Sequence, residues 1–438
     1  MEKKHMIWNP EAECMDREQL REVQAEKLRK TVKRMYENVP LYRDRMKEKG
    51  IEPGDIRTLD DLKHLPFIDK QDLHDQFPFG LFSSPNRDIV RIQGSSGTTG
   101  KPVLAGYTEA DIDLWSECMA RTLTACGTTK DDIVHVAYGY GLFTGGLGAH
   151  HGASRIGAMT VPMSSGNTQR QIMMMTELKA TVLCCTPSYA LHLGEVMAEM
   201  GLSPEQIPLR AAALGAEPWS EQMRQKIEQI LGIDAIDIYG LTEICGPGVS
   251  FECLEKNGMH INEDYFIPEI IDPETLEVLP MVSKGEIVFS SVGKEGMPLL
   301  RYRTHDICRL TDEKCACGRT FTRMMRITGR SDDMVVIRGV NVFPSQVESV
   351  LVGMPGVAPH YLLVVDRVGS SDTLEIRVEV TEEMYAGSMD ASMQDLTAKI
   401  GTRIKSALGI TAKIVLVEPK TLPRSEGKAK RVQDNRKI

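Results

Sequence analysis

The chain contains the segment Gln93-Gly94-Ser95-Ser96-Gly97-Thr98-Thr99-Gly100-Lys101-Pro102, on which the interpretation of the whole sequence depends. The segment holds three glycines, four hydroxyl side chains and one lysine. Glycine lets consecutive backbone N–H groups turn into one concavity, and such a concavity binds anions. The hydroxyls add hydrogen-bond donors and the lysine adds a positive charge, so the segment predicts a phosphate-binding loop.

Two other interpretations of this segment have to be weighed. A Walker P-loop has the pattern GxxxxGK[ST], but here Pro102 follows the lysine and has no N–H to offer a phosphate. A solvated Ser/Gly linker is the alternative that composition alone supports. Residues 89–92 and 103–105 on either side are typical of short strands, which favours a glycine-rich hairpin over a linker.

Length, charge and cysteine usage set the broad class of the protein. The 438 residues suffice for two or three domains, and a net charge of −9 argues against a basic surface for nucleic acid. No apolar run approaches the ~18 residues that cross a bilayer, and the N-terminal residues lack the apolar core of a signal peptide. Ten cysteines without a secretion signal are typical of a reducing compartment. We therefore expect a cytoplasmic protein that binds neither nucleic acid nor membrane.

Strand and helix patterns alternate through the middle of the chain and predict an α/β fold. We expect strands at 133–137, 181–185, 211–214 and 235–238, separated by helices at 169–180, 188–200 and 219–231. Such alternation predicts βαβ units with a buried parallel sheet, whose ligands bind beyond the carboxyl ends of the strands. The pattern becomes antiparallel over 265–310. We expect a large N-terminal domain of mixed and parallel sheets flanked by helices (1–331), followed by a small mobile α+β lid domain (332–438).

Four motifs resemble, in chain order, those of the adenylate-forming superfamily, which includes acyl-CoA synthetases, peptide-synthetase adenylation domains and luciferases. They are the hairpin above, Tyr239-Gly240-Leu241-Thr242-Glu243, Tyr302-Arg303-Thr304-His305-Asp306, and Leu422-Pro423-Arg424-Ser425-Glu426-Gly427-Lys428-Ala429-Lys430. Within the superfamily, segments 137–148, 332–334, 338–344 and 423–428 make the resemblance closest to phenylacetate–CoA ligases. A chain of 438 residues, shorter than typical fatty acyl-CoA synthetases, agrees with this.

The resemblance implies an AMP-forming carboxylate–CoA ligase. ATP and an aryl-acetate-type carboxylate would give an acyl-adenylate and pyrophosphate, and CoA would then take the acyl group. One alternative is transfer to a carrier protein or another nucleophile. Another is a nucleotide-sensing module without turnover, against which the presence of Glu243 and Lys428 counts. A homodimer is implied at the family level only.

The resemblance also assigns roles to individual residues. Lys428, Thr242 and Glu243 would be catalytic, with Mg2+ held by Glu243, and Asp332 would be the hinge of the lid. Asp306 would bind the ribose, because a carboxylate can accept two hydrogen bonds from a diol; the alternative is a surface ion pair with Arg301 or Arg303. The residues expected to contact ATP, AMP or CoA are Ser95, Ser96, Gly97, Thr98, Thr99, Gly100, Lys101, Gly215, Ala216, Glu217, Pro218, Asp237, Tyr239, Gly240, Asp306, Arg330 and Gly339. For residues 213–218, an ordinary βα turn remains an equal alternative.

Aromatic residues after the first predicted parallel strand are candidates for the acyl pocket. Tyr138, Tyr140 and Phe143 offer ring faces that suit an arene, although they could equally belong to the core. The adjacent His150 and His151 are expected to be structural or to form a pocket wall.

A group of soft ligands is not explained by nucleotide chemistry. Cys315 and Cys317 lie at a turn, with Cys253 and His260 upstream, and four such ligands on two loops predict a structural tetrahedral zinc site. The Cys-x-Cys spacing is shorter than the usual Cys-x2-Cys, and Cys308 is a spare candidate ligand. The alternative is free thiols in a reducing cell.

Overall fold

A computed structural model describes residues 5–95, 102–331, 335–337, 340–368, 371–386, 390–424 and 431–436. The predicted site residues Ser96, Gly97, Thr98, Thr99, Gly100, Lys101, Asp332, Gly339 and Lys428 lie outside these ranges and remain predictions. The chain divides into two compact units. The larger unit contains Met1–Cys185, Leu202–Ala216 and Gly232–Arg326, and the smaller contains Thr186–Gly201, Glu217–Leu231 and Ile327–Ile438.

The larger unit combines helices with two sheets and a hairpin. Its helices are α1 (Pro10–Glu13), α2 (Arg17–Asn38), α3 (Pro40–Glu48), α4 (Lys70–Asp75), α5 (Glu109–Ala125), α6 (Thr144–Ile156) and α7 (Thr168–Glu177). Its strands are β1 (Arg91–Gly94), β2 (Leu104–Tyr107), β3 (Ile133–Val136), β4 (Met159–Pro162), β5 (Val182–Cys185), β6 (Ala211–Gly215), β7 (Asp234–Tyr239), β8 (Ser250–Phe251), β9 (Met259–Ile261), β10 (Phe266–Ile271), β11 (Val278–Leu279), β12 (Gly285–Ser291), β13 (Tyr302–Cys308), β14 (Leu310–Thr311) and β15 (Arg323–Met324).

The main sheet of this unit has the order β14-β15-β9-β8-β7-β6-β5-β3-β4. Strands β7, β6, β5, β3 and β4 are parallel, whereas β8, β9, β15 and β14 pair antiparallel. Every residue of β5 and β6 is buried, as expected for strands with both faces covered. The predicted parallel strands are confirmed, and their carboxyl ends lie at one edge of the sheet.

A second sheet in this unit places β11, β10, β12 and β13 side by side in antiparallel order, which confirms the antiparallel pattern expected over 265–310. Strands β1 and β2 form an antiparallel hairpin in which Gly94 pairs with Leu104. The hairpin brackets residues 96–101, as the strand patterns on either side of them predict.

Helix α6 and strand β4 are not among the predicted elements. Glycine disfavours a helix interior by roughly 1 kcal/mol, so the glycine-rich run from 145 to 152 does not read as a helix. Packing explains the glycines. A Cβ on Gly148 would lie 2.8 Å from the Trp115 ring, and one on Gly152 would lie 2.6 Å from Met119 Cβ. The glycines therefore let α6 approach α5 closely.

The smaller unit assembles two helices from the middle of the chain with the C-terminal segments. Its helices are α8 (Pro187–Glu199), α9 (Glu221–Leu231), α10 (Pro344–Leu351), α11 (Glu382–Ala386) and α12 (Asp390–Leu408), and its strands are β16 (Gly329–Arg330), β17 (Val335–Ile337), β18 (Val340–Val342), β19 (Val357–Val368), β20 (Ser371–Val380), β21 (Lys413–Val417) and β22 (Val432–Asp434). Strands β21, β20, β19 and β22 form one sheet in that order.

Together the two units give the expected mixed α/β class, with a large sheet-containing part and a small C-terminal part. Among the residues that the structure describes, no helix is long and apolar enough to span a bilayer.

Candidate active site

The turn after β7 carries the predicted catalytic residues Thr242 and Glu243. The backbone closes tightly here, since Ile244 N donates to Leu241 O at 3.1 Å. A Cβ on Gly240 would lie 2.7 Å from Gly246 Cα, so only glycine fits between the two arms of the turn. Thr242 and Glu243 are each 8 % exposed. The turn thus presents a hydroxyl and a carboxylate in a largely dry setting at the carboxyl end of a parallel strand.

Tyr239 and Asp306 come together beside this turn. The Tyr239 hydroxyl donates to Asp306 Oδ2 at 2.6 Å, and the Asp306 backbone N–H donates to Thr304 Oγ1 at 3.0 Å. Asp306 is only 3 % exposed, so it is not part of a surface ion pair. The arginines of that motif bind other carboxylates: Arg301 binds Glu269, and Arg303 binds Glu286.

One neighbour of the catalytic turn was not predicted. Thr144, the first residue of α6, places its Oγ1 3.5 Å from Thr242 Oγ1. Thr144 is 3 % exposed, so it faces the turn from within the protein. The sequence contains only a weak signal for this contact. Thr144 stands at the start of a glycine-rich run, and helix propensity does not predict that this run is helical.

The carboxyl end of β6 forms the other predicted strand turn. A Cβ on Gly215 would overlap Ile238 O on the adjacent strand β7, which requires glycine at this position. Ala216 has a φ of +73°, a left-handed conformation that alanine rarely adopts. Such strain at a strand end is often found at functional sites. Asp237, also predicted to contact nucleotide, donates its backbone N–H to Glu252 Oε2 at 2.9 Å.

Three predicted nucleotide-binding residues belong to the smaller unit. Glu217 accepts a hydrogen bond from the Ser188 backbone N–H at 2.6 Å, in the first turn of α8. Pro218 follows Glu217 directly, and Arg330 lies in β16. The Glu217 carboxylate therefore satisfies one of the free N–H groups at the start of a helix.

The predicted phosphate loop is held at its base by Ser95. The Ser95 N–H donates to Val103 O at 3.0 Å, and the Val103 N–H donates to Ser95 Oγ at 3.1 Å. The Gly94 N–H donates to Leu142 O at 2.7 Å, which ties the hairpin to the aromatic segment before α6. The side chain of Ser95 thus closes the base of the hairpin by accepting the Val103 N–H.

The aromatic candidates for the acyl pocket differ in exposure. Tyr138 is 3 % exposed and its ring centroid lies 6.5 Å from that of Phe143, whereas Tyr140 and Phe143 are half-buried. The Tyr140 hydroxyl is 3.4 Å from His150 Nδ1. Burial raises the pKa of Tyr140, so its hydroxyl stays protonated. Tyr138 is thus part of the core, while Tyr140 and Phe143 have surface left to meet a ligand.

His151 forms the polar end of this aromatic group. Its Nε2 contacts Arg91 Nη1, and its ring lies 5.9 Å from that of Trp115. Burial, followed by the charges of Arg91 and His150, lowers the pKa of His151 to about 4. The ring is therefore neutral at pH 7.

The four predicted zinc ligands meet in the larger unit. The ligand atoms of Cys253, His260, Cys315 and Cys317 all lie within 4.8 Å of one another. Cys253 Sγ is 3.7 Å from Cys315 Sγ, and Cys317 Sγ is 3.4 Å from His260 Nε2. A tetrahedron with metal–sulfur bonds of about 2.3 Å has edges of roughly 3.8 Å between sulfurs and 3.5 Å between sulfur and nitrogen. These two distances match the edges of such a tetrahedron, and Cys308 is not a member of the cluster.

The protonation of this cluster also suits a cation. Hydrogen bonds from the Cys253 and Cys315 thiols, with a smaller contribution from His260, lower the pKa of Cys317 and favour its thiolate. Burial lowers the pKa of His260, which favours the neutral imidazole that binds metals.

Comparison with known proteins finds similarity over nearly the whole chain. Residues 6–294 match the AMP-binding enzyme family, and residues 339–436 match the C-terminal domain of AMP-binding enzymes. The phenylacetate-coenzyme A ligase of Thermus thermophilus is 47% identical over 99% of this chain and 100% of its own length. The Escherichia coli phenylacetate-coenzyme A ligase is 46% identical over 96% of both chains. The chain belongs to the adenylate-forming AMP-binding enzymes.

A solved structure supports the same family assignment. The 2-hydroxyisobutyryl-CoA ligase in complex with 2-HIB-AMP, in the postadenylation state, superposes with a TM-score of 0.92. It is 29% identical, and the alignment covers 98% of this chain and 92% of that chain. The AMP-binding enzyme described here is an AMP-forming acyl-CoA ligase that acts through an acyl-adenylate, as its motifs imply.

Proposed function

We propose that this acyl-CoA ligase activates an aryl-acetate-type carboxylate such as phenylacetate. The observation that carries the proposal is full-length similarity to phenylacetate-coenzyme A ligases at 46–48% identity. The half-buried rings of Tyr140 and Phe143, next to the hairpin base, support an aromatic acyl group because ring faces pack well against an arene.

The reaction consists of two displacements. A carboxylate oxygen attacks the α-phosphorus of ATP, a new P–O bond forms, and pyrophosphate leaves with the electron pair of the broken bond. The CoA thiol then loses its proton and attacks the acyl carbon, so that a thioester forms and AMP leaves. In the first step Thr242 would donate a hydrogen bond to the α-phosphate, and Asp306, oriented by Tyr239, would accept from the ribose hydroxyls.

Glu243 is the residue proposed to hold Mg2+. Magnesium prefers oxygen ligands and is usually bound by one or two carboxylates together with substrate phosphates. A largely buried carboxylate at the strand end suits this donor set. The ion would neutralise negative charge that builds up on the phosphate oxygens.

A carboxylate panel tests the overall proposal. Phenylacetate, hydroxyphenylacetate, indoleacetate, benzoate and octanoate are supplied with ATP, Mg2+ and CoA, and both pyrophosphate and acyl-CoA are measured. We expect the highest kcat/KM for an aryl acetate. A preference for octanoate, or pyrophosphate release without acyl-CoA, would contradict the proposed substrate class or acceptor.

Lys428 is proposed to act only in adenylation. A positive charge at the carboxylate and α-phosphate offsets the charge that develops in the transition state, and loss of one such group typically lowers the rate by about 100-fold or more. We expect Lys428→Ala to block adenylate formation and to spare thioester formation from supplied acyl-adenylate. Lys437→Ala is the matched control in the basic tail. Equal loss of both half-reactions would remove the proposed role.

The cluster of Cys253, His260, Cys315 and Cys317 is proposed to hold a structural zinc ion. When bound, the ion would cross-link β9 and the loop before it to the segment before β15. We expect about one zinc per chain by elemental analysis, fewer in Cys315→Ala, and an unchanged amount in Cys308→Ala. A zinc content under ~0.2 per chain in carefully reduced, unchelated protein would contradict the proposal and favour free thiols.

Further parts of the proposal concern the whole protein. We propose from the family resemblance a lid boundary at residue 332, hinge rotation at Asp332, a CoA contact at Gly339 and a homodimer. The cytoplasmic location is proposed from the cysteine usage and the N-terminal sequence. Light scattering of the purified protein tests the dimer, and a mass of one 48.7 kDa chain would exclude it.

A further inference from the structure

Lys294 has a buried amino group that the reaction scheme above does not use. The residue follows β12, is 3 % exposed, and donates from Nζ to Ile244 O at 2.6 Å. Its Nζ also lies 4.6 Å from the centre of the Tyr107 ring. Burial lowers the pKa of Lys294, while the nearby Asp111 and Cys245 act in the opposite direction. Burying an ammonium group is unfavourable unless it is well paired, so its retention calls for a specific reason.

Asp111 fixes the backbone that carries this lysine. Its Oδ1 accepts from the Glu295 N–H at 2.7 Å, and its Oδ2 accepts from the Gly296 N–H at 2.8 Å. Asp111 also accepts from the Thr108 N–H as part of the capping box that starts α5. The lysine therefore projects from a turn that is attached to a rigid helix, and the carboxylate provides its opposite charge.

A second side chain, from α5, donates a hydrogen bond to the same catalytic turn. Trp115 Nε1 donates to Pro247 O at 2.7 Å, and the Trp115 ring stacks on Tyr107 with centroids 5.1 Å apart. Strand β7 fixes the beginning of the turn, where the Val249 N–H donates to Tyr239 O at 3.1 Å. Lys294 and Trp115 thus hold two carbonyl groups just beyond Thr242 and Glu243.

We infer that Lys294 is a positioning residue for adenylation. It holds Ile244, and through that residue keeps the preceding Thr242 and Glu243 aimed at the α-phosphate and Mg2+. The inference rests on the proposed roles of Thr242 and Glu243. Groups that orient metal ligands typically change metal affinity or activity by about 10- to 100-fold when removed.

The test measures carboxylate-dependent ATP–pyrophosphate exchange as a function of Mg2+ in the full-length enzyme. Lys294→Met keeps the aliphatic stem and removes the donor and the charge. We expect kcat per folded chain to fall about 10- to 100-fold and the Mg2+ concentration for half-maximal rate to rise several-fold, while thioester formation from supplied acyl-adenylate changes less than twofold. Lys284→Met, at the exposed residue before β12, is the matched control and should change none of these values.

Two comparison variants keep the test decisive. Glu243→Gln should shift the Mg2+ dependence by itself, and if it does not, the proposed role of Glu243 fails rather than the inference about Lys294. If Glu243→Gln shifts the Mg2+ dependence but Lys294→Met leaves both kcat and that dependence unchanged, Lys294 has no positioning role. Should Lys294→Met not fold, Lys294→Gln, which also removes the positive charge and shortens the side chain, takes its place, and an unchanged kcat and Mg2+ dependence in that variant overturns the inference.

Discussion

Tyr239 and Asp306 show what a sequence can and cannot predict about single residues. Their motifs predict both as site residues, because a polar turn after a strand and a carboxylate beside arginines are visible in the sequence. Their mutual hydrogen bond of 2.6 Å is not visible, since it joins residues 67 positions apart on two different sheets. Thr144 is missed for the same reason, because its contact with Thr242 depends on tertiary packing.

The Tyr239 hydroxyl gives the first residue-scale prediction. Tyr239→Phe removes one hydrogen bond to a buried carboxylate, an interaction of about 1 kcal/mol, so we expect the KM for ATP to rise roughly fivefold with a smaller effect on kcat. Steady-state kinetics with ATP as the varied substrate measure this. Tyr36→Phe, whose exposed hydroxyl binds Glu52, is the matched control. An unchanged KM would show that Tyr239 does not orient a nucleotide ligand.

His151 predicts a pH dependence of stability. Its folded-state pKa of about 4 lies below the ordinary value of 6.5, so the unfolded chain binds a proton that the folded chain does not. Stability should therefore fall as the pH decreases from 6.5 to 4, by on the order of 1–2 kcal/mol after allowance for partial exposure.

Urea unfolding at several pH values measures the effect of His151. The groups facing the ring are Arg91, His150 and Trp115. His151→Gln should flatten the curve between pH 4 and 6.5, whereas the exposed His64→Gln should not. Parallel curves for His151→Gln and the parent would refute the assignment.

Helix α6 carries the main lesson at the scale of elements. Periodicity and propensity predict α7, α8 and α9 well, because in these segments the local sequence preference agrees with the observed helix. They miss α6, in which Gly148 and Gly152 permit close contact with α5 although glycine disfavours a helix. Helix prediction from local sequence therefore fails where tertiary packing, rather than helix propensity, determines which amino acid fits a position.

A pair of glycine substitutions tests this explanation. A methyl group on Gly152 would meet the Met119 backbone at 2.7 Å, so Gly152→Ala should destabilise the protein by about 1–3 kcal/mol despite alanine's better helix propensity. Gly401 lies within α12 and has only Ile414 Cγ1 at 3.8 Å, so Gly401→Ala should be neutral or stabilising by up to about 1 kcal/mol. Chemical denaturation measures both, and a neutral Gly152→Ala would contradict close packing as the cause.

At the scale of the whole molecule, the two units do not follow the chain order. Chain order places α8 and α9 with the N-terminal domain, whereas their contacts place them with the C-terminal segments. Within the smaller unit, the Ser220 N–H donates to Glu348 Oε1 at 2.9 Å, and His360 pairs with Glu195. Nothing in the amino-acid pattern of either helix reveals these partners, which come from distant parts of the sequence.

Native-state hydrogen exchange should detect this arrangement. We expect amides of α8 and α9 to open with those of β19 and β20, because cooperative units follow packing. Val365→Ala, a truncation in the core of the smaller unit, should lower protection in all four elements and leave β5 and β6 unchanged. If α8 and α9 in Val365→Ala instead stay as protected from exchange as β5 and β6, then these helices do not unfold together with the rest of the smaller unit.

The composition of the smaller unit from three chain segments has a consequence for biosynthesis. Both central helices leave the ribosome long before the strands that complete their unit, so a nascent chain must carry them with unfinished contacts until translation is nearly over. A gene divided at codon 332 would leave α8 and α9 on the first polypeptide. The second polypeptide would then lack two helices that belong to the smaller unit.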